Sequence, residues 1–187
     1  SLAYIMDNGN HLLELINGVL DLAKIEMNQM EVSYEYINVH KLLSSIANIM
    51  TPEADKTNVS ILMQSEKLEA LSINADYNKL KQVLLNLSSN AIKYNSERGI
   101  VSFSYQQSNS DKVKIAISDT GKGVPQADFP ALFEPFNRLD KANSAILGTG
   151  IGLSISKKLV EEMGGEIGVF HNEDRGLTFW VELDAVV

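Results

Sequence analysis

Residues 86–94 read NLSSNAIKY and form the second half of a predicted helix that begins after Asp76. Asp76 is a typical N-cap residue, and apolar residues recur at helical spacing behind it. Asn86, Asn90 and Lys93 stand at i, i+4 and i+7, so they share the helix face opposite the apolar stripe. An amide oxygen is a hard ligand suited to Mg²⁺, and a lysine ammonium is a point charge for phosphate. The commoner meaning of such a pattern, taken alone, is a solvated polar face.

Two glycine-rich segments lie further along the chain. The first, DTGKG at residues 119–123, directly follows a predicted strand. Its carboxylate can accept a hydrogen bond from an exocyclic amine, and its glycines let the backbone approach a flat ring. The second, GTGIGL at residues 148–153, opens a predicted helix, whose N-terminal N–H groups suit phosphate. It is neither a Walker A loop nor a dinucleotide fingerprint. Each segment alone is also consistent with a tight turn.

A long polar segment joins the two glycine-rich segments. Phe133 and Phe136 can anchor one end of it, while Arg138 and Lys141 can reach toward phosphates. Long loops in compact domains are uncommon unless they are functional. The simpler alternative is a surface loop with two buried aromatic side chains.

The fold predicted from periodicity is α+β. Residues 31–187 alternate between strand and helix patterns, which predicts a two-layer sandwich of about five strands and three helices. Residues 1–30 carry two adjacent apolar stripes with seven-residue repeats, which predicts one long N-terminal helix belonging to a helical bundle. The alternative is a core helix that packs on its own domain. We therefore expect two units, 1–30 and 31–187.

Composition excludes several classes of protein. The net charge of -8 argues against nucleic acid as the main partner. The absence of cysteine excludes disulfides, zinc ribbons and cysteine nucleophiles. The chain has neither a basic leader nor an apolar run of the ~18 residues that a membrane span needs. We expect a cytoplasmic segment of a longer protein, and the sequence leaves membrane attachment of that protein open.

The order of these segments resembles the sensor histidine kinases of two-component systems, and specifically their ATP-binding catalytic domain of the GHKL (Bergerat) fold. Residues 86–94 match the N box, 119–123 the first glycine box, 133–138 the F box and 148–153 the second glycine box. HLLELINGVLDLAKIE, at residues 11–26, is similar to the second helix of the family's dimerisation and histidine-phosphotransfer bundle.

The resemblance implies a site for ATP and Mg²⁺. Asn90 would coordinate the metal on the phosphates, with Asn86 beside it and Lys93 on phosphate. Residues 124–147 would be the ATP lid. The other residues implied to bind the nucleotide are Tyr94, Asp119, which would hold the adenine amino group, Gly121, Gly123, Arg138, Lys141, Gly148, Thr149, Gly150, Gly152 and Leu153.

The implied reaction is transfer of the γ-phosphoryl group of ATP to a histidine, for relay to an aspartate of a response regulator receiver domain. A homodimer is the implied assembly of the full-length protein. Family acceptor histidines are followed by Glu or Asp, and none of His11, His40 and His171 is. We therefore expect the acceptor helix outside this chain, in the same or a partner subunit, and no self-phosphorylation by this chain alone.

Two alternatives compete with the kinase interpretation. Gyrase-like and chaperone-like members of the superfamily carry a general-base Glu four residues before the metal-binding Asn. Here that position is Asn86, and an amide does not take a proton near neutral pH, so a hydrolase is disfavoured. A degenerate nucleotide-sensing module, with a conformational output, stays open.

Overall fold

Helices and strands alternate along the chain in the order that periodicity predicts. The computed structural model describes residues 6, 9, 12–13, 16–20, 23, 31–64, 71–109, 111–137 and 150–186. In chain order, the elements within residues 31–186 are β1 (Glu35–Asn38), α1 (Val39–Lys56), β2 (Ser60–Gln64), β3 (Ser72–Ala75), α2 (Tyr77–Lys93), β4 (Ile100–Asn109), β5 (Lys112–Asp119), a 3-10 turn (Gln126–Asp128), α3 (Phe129–Leu132), α4 (Gly152–Glu162), β6 (Glu166–His171) and β7 (Leu177–Asp184).

A five-stranded sheet with the order β2-β4-β5-β7-β6 forms one layer. Strands β2 and β4 run parallel, and the remaining neighbours are antiparallel. Alternate residues of β5 are buried, from Val113 through Ile117 to Asp119, so the sheet packs one face against the helices. Helices α1, α2 and α4 contribute Leu43, Leu84 and Leu159 to the same core. The predicted two-layer α+β sandwich is confirmed.

A two-stranded sheet of β1 and β3 lies beside the main sheet. The pairing is antiparallel, and an isolated bridge joins Ile73 to Ala185 after the end of β7. Asn38 ends β1 and caps α1, since its side chain accepts from the Lys41 N–H. Pro52 and the polar residues behind it predict an end to α1, yet the helix continues to Lys56. Pro52 lies on the exposed side, where water can solvate the carbonyl it leaves unpaired.

The predicted N-terminal helix is described only in part. Each described position between residues 6 and 23 is helical, and the rest of residues 1–30 lie outside the described residues. Most described members of the apolar stripes are exposed, including Leu12 and Leu13 at 58%. Gly18 is buried, and a Cβ built on it would lie 3.6 Å from Ile151 and 3.7 Å from Ile155. The helix therefore contacts α4, while the division of the chain at residue 30 stays a prediction.

Asp76 joins the start of α2 to the segment that precedes β1. Its Oδ1 accepts the Lys79 N–H, and its Oδ2 accepts the Ser33 N–H, each at 3.0 Å. Lys79 Nζ bonds both to Oδ2 and to the Glu31 carbonyl. Burial opposes ionisation of Asp76, but the hydrogen bonds from Ser33 and Lys79 outweigh it and lower the pKa of the carboxyl. Asp76 is thus both a helix cap and an anchor for residues 31–33.

Asp76→Ala is expected to lower the free energy of unfolding at pH 7 by about 2 kcal/mol, because it removes the cap and leaves the Ser33 N–H without an acceptor. Asn38→Ala, which removes only a cap, is the matched control and should lower it by about 1 kcal/mol. Because the pKa of Asp76 is lower in the folded protein than its unfolded value near 3.8, the carboxylate stabilises the fold at pH values above that value. This stabilisation is lost as the pH falls through the folded pKa. The Asp76→Ala deficit should therefore shrink in acid. Urea unfolding curves that give equal losses for both variants at pH 7 would contradict the anchor role.

Candidate active site

Helix α2 lies against both glycine-rich segments. A side chain at Gly121 would collide with the carbonyl oxygen of Tyr94, at the end of α2. A side chain at Gly152 would collide with the amide of Asn86, two turns earlier on the same helix. At Gly121 the obstacle is the helix backbone, which excludes a side chain, whereas at Gly152 it is the end of the Asn86 side chain, which would have to move. The structure therefore brings the N box against the first glycine box and against residues 150–153 of the second.

Asp119 lies at the end of β5, and 6% of it is exposed. Its Oδ1 accepts the Gly121 N–H at 2.7 Å and the Leu177 N–H at 3.4 Å. No described residue donates to Oδ2. Burial raises the pKa of the carboxyl, and the two backbone N–H donors offset that rise only in part. The carboxylate is therefore held by one oxygen while the other can accept a hydrogen bond from a ligand amine.

The predicted N-box residues occupy different environments. The Asn86 amide nitrogen donates to Ser156 Oγ of α4 at 2.9 Å, so this residue links the two helices. Asn90 is half-buried, and none of the described side chains bonds to its amide. Lys93 is exposed in the last turn of α2, and Tyr94, the C-cap, is 44% exposed. Asn90 and Lys93 are therefore available to a ligand, while Asn86 is engaged in holding α4.

Helix α4 begins at the second glycine box. Gly150 has φ of +68°, and the next residue, Ile151, is the buried N-cap. No side chain among the described residues caps α4, which leaves its first N–H groups suited to an anion. Gly152 starts the helix, and Leu153 follows it, half-buried against the core. The predicted ligands Arg138, Lys141, Gly148 and Thr149 lie outside the described residues.

The F box is anchored by only one of its two phenylalanines. Phe133 packs edge-on against Phe179 with ring centroids 6.4 Å apart, and Lys157 lies over the same ring. Phe136 is 63% exposed, although its N–H donates to the Gly150 carbonyl at 2.9 Å. The anchor role is thus confirmed for Phe133 and wrong for Phe136, whose side chain is largely exposed.

Three site-related residues were not found by sequence reasoning. Ser156 bonds to Asn86, and both His171 and Asn172 bond to the backbone around the first glycine box. The sequence pattern predicts only that His171 ends a strand and that Asn172 begins the turn after it. Their proximity to Asp119 follows from the pairing of β5 with β7 and of β7 with β6, which no local pattern specifies.

The residues present fit a magnesium ion that is held mainly by phosphates. Among the residues that the structure describes, no cluster of three His, Cys, Asp or Glu side chains could hold a metal alone. Mg²⁺ in nucleotide sites takes one or two protein ligands and completes its shell with phosphate oxygens and water. The half-buried amide of Asn90 is a suitable ligand of that kind. No helix in the described part of the chain is long and apolar enough to cross a membrane.

Asp119→Asn is expected to reverse base preference. In the variant, the Asn Oδ1 keeps the hydrogen bond from the Gly121 N–H, and the NH₂ group takes the place of Oδ2. The affinity for ATP should therefore fall about tenfold, while the affinity for ITP should rise. Calorimetric titration with each nucleotide measures both changes.

Because burial raises the folded pKa of Asp119, its ionised form destabilises the protein at neutral pH but not in acid. The same variant should thus unfold at a higher temperature at pH 7, with the gain lost at low pH.

Asp111→Asn, at an exposed turn before β5, is the control and should change neither affinity nor stability. If Asp119→Asn discriminates between ATP and ITP as the wild type does, the carboxylate does not read the base.

Comparison with known proteins assigns the family. The family model described as histidine kinase-, DNA gyrase B-, and HSP90-like ATPase matches residues 75–187. Sensor histidine kinase GacS of Pseudomonas protegens is 37% identical over 98% of this chain and 20% of its own length. Circadian input-output histidine kinase CikA of Synechococcus elongatus is 34% identical over 95% of this chain and 24% of its own length. The chain thus spans only about a fifth of these curated relatives.

Solved structures agree with this assignment. Full-length ShkA in complex with AMPPNP superposes with a TM-score of 0.85 and 32% identity, over 99% of this chain and 38% of that one. The catalytic domain of histidine kinase ThkA superposes with a TM-score of 0.71 and 27% identity, over 81% of this chain and 95% of that one. The chain belongs to the histidine kinase-, DNA gyrase B-, and HSP90-like ATPase family, as an ATP-binding catalytic domain of the sensor histidine kinase type.

Proposed function

We propose that the chain binds Mg-ATP between α2 and the start of α4 and presents the γ-phosphoryl group to a histidine on a separate helix. The observation that carries the proposal is that one helix, α2, contacts both the segment that follows the buried Asp119 carboxylate and the start of α4. The AMPPNP complex of ShkA, which superposes over nearly the whole chain, supports the same ligand here.

Each end of the nucleotide has a matching partner in the cleft. The Asp119 Oδ2 accepts from the adenine amino group, because Oδ1 is already bonded to Gly121. The N–H groups at the start of α4 and the Lys93 ammonium bind the phosphates, which carry the negative charge. Asn90 holds the magnesium ion. When bound beside Asn90, Mg²⁺ would supply positive charge that offsets the negative charge of the transferred group.

The site is better suited to transfer than to hydrolysis. Asn86 occupies the position of the hydrolase base, and its amide is engaged with Ser156 and Gly152. Because an amide cannot remove a proton from water, the site does not activate water for attack on ATP. The bound ATP reacts instead with a nucleophile that does not depend on Asn86 for its activation. His171 and His40 are poor acceptors, since His171 bonds to the Val124 carbonyl and the His40 ring lies 6.2 Å from the tilted ring of Tyr105. We therefore place the acceptor on a helix outside residues 31–186.

The partners follow from this reaction. The phosphorylated histidine would pass its phosphoryl group to an aspartate of a response regulator receiver domain, within a homodimeric, cytoplasmic kinase region. A structure of ThkA with the response regulator TrrA superposes on this chain with a TM-score of 0.77, which supports a fold suited to such a complex. Binding of ATP without transfer would instead favour a nucleotide-sensing module.

Asn90→Ala is expected to lower the Mg²⁺-dependent affinity for ATP by about 100-fold, because it removes the protein ligand of the metal. Isothermal titration with AMPPNP, with and without excess EDTA, measures this dependence. Asn78→Ala, an exposed position on the same helix, is the matched control and should bind like the wild type. If Asn90→Ala keeps a normal difference between the two titrations, Asn90 is not the metal ligand.

Transfer itself is tested by mixing the chain with a purified bundle fragment that carries an acceptor histidine and with γ-labelled ATP. We expect Mg²⁺-dependent, acid-labile label on the bundle fragment and none on this chain. A bundle fragment with the histidine replaced by glutamine is the control. Persistent absence of label, with ATP binding intact, would refute the kinase function in favour of nucleotide sensing.

A further inference from the structure

The end of β6 holds both ends of the segment that carries Asp119. We call residues 119–124 the adenine loop. The Asn172 Nδ2 donates to the carbonyl oxygen of Asp119 at 2.8 Å. The His171 Nε2 lies 2.7 Å from the carbonyl oxygen of Val124, and a carbonyl only accepts, so the ring nitrogen donates. Two consecutive residues thus bind the first and the last carbonyl of the loop.

The Asn172 side chain is itself fixed on every side. Its Oδ1 accepts from Thr178 Oγ1 at 2.5 Å, and Thr178 also shares a hydrogen bond of 2.6 Å with Ser118. Its Nδ2 makes a second bond to the Arg175 carbonyl at 3.2 Å, and its backbone N–H donates to the Gly176 carbonyl. An amide with both ends engaged cannot rotate without breaking several hydrogen bonds at once, so it holds the Asp119 backbone in one place.

The His171 ring is held by packing. It lies against Phe129 with ring centroids 4.8 Å apart, and its Cδ2 would be 3.8 Å from a Cβ on Gly123. Gly123 adopts a φ of +69°, a conformation that other residues rarely take. The loop therefore contains a glycine of positive φ directly before the carbonyl to which His171 bonds.

The direction of the Asp119 carboxylate depends on this loop. The Gly121 N–H, which lies within the loop, is the closer of the two donors to Oδ1. Gly121 and Gly123 make the free loop flexible, and a shift of its backbone would rotate the carboxylate and misdirect Oδ2. Contacts at Asp119 and Val124 restrict that shift from outside the loop.

We propose that His171 and Asn172 are positioning residues that fix the adenine loop and so determine the preference for adenine over guanine nucleotides. This inference rests on the proposed function, because only a bound nucleotide gives Asp119 a base to read. Neither residue touches the reacting phosphate, so their loss should change base selectivity and leave phosphate binding nearly intact.

The test is calorimetric titration of the whole chain with three probes in the presence of Mg²⁺: AMPPNP, GMPPNP and tripolyphosphate. Asn172→Leu should weaken AMPPNP about fivefold to tenfold, and His171→Phe about threefold, because each loses hydrogen bonds that orient the loop. Both should change the affinity for GMPPNP and tripolyphosphate by less than about twofold. Asn109→Leu is the control, because Asn109 is exposed at the end of β4 that does not pair with Asp119. This variant should bind all three probes like the wild type.

A ratio of AMPPNP to GMPPNP affinity that stays at the wild-type value in both variants would overturn the inference, as would an equal loss for all three probes. If Asn172→Leu does not fold, Thr178→Val removes the donor that orients Asn172, and the same fall in ratio is expected or the inference fails. A wild-type chain that binds no nucleotide refutes the proposed function as well. Normal adenine selectivity in the wild type and in both variants refutes only the role of His171 and Asn172.

Discussion

The close approach of two glycine backbones to helix α2 is the constraint on which the site depends. Gly121 meets the Tyr94 carbonyl, and Gly152 meets the Asn86 amide, with no room for a Cβ at either contact. One contact sets the distance from α2 to the carboxylate of Asp119, and the other sets the distance from α2 to the uncapped start of α4. The length of α2 between Asn86 and Tyr94 therefore sets the distance between the parts of the site that we propose for the base and for the phosphates.

The two buried aspartates show opposite balances between stability and function. Asp76 gains three hydrogen bonds from Ser33 and Lys79, so its charge is stabilised in the folded protein. Asp119 keeps one oxygen without a donor among the described residues, and burial raises its pKa. Burial of an ionised carboxylate costs stability at neutral pH, and such perturbed groups are concentrated at functional sites. The contrast separates the structural carboxylate from the one that we propose to read the base.

Local sequence determined the elements well and their assembly only in part. Asn38 and Asp76 cap helices as their side chains predict, and the alternation of β5 gives the right buried face. Pro52 was misleading, because a proline is tolerated where the freed carbonyl faces water. The roles of His171, Asn172 and Ser156 arise from strand order and helix packing between residues distant in sequence, which periodicity does not encode. The motifs of the candidate site could therefore be predicted from the sequence, but the residues that support those motifs could not.

The N-terminal helix contacts the start of α4, where we propose that the phosphates bind. Ile151 precedes the first residue of α4, is almost fully buried, and lies beside Gly18. A close-packed contact of this kind does not deform freely, so a shift of α4 changes the packing at Gly18. Asn86 transmits the same shift to α2 through Ser156. The nucleotide binding that we propose at the start of α4 would thereby be connected, through the contacts at Gly18 and Ser156, to the N-terminal helix and to the polar face of α2.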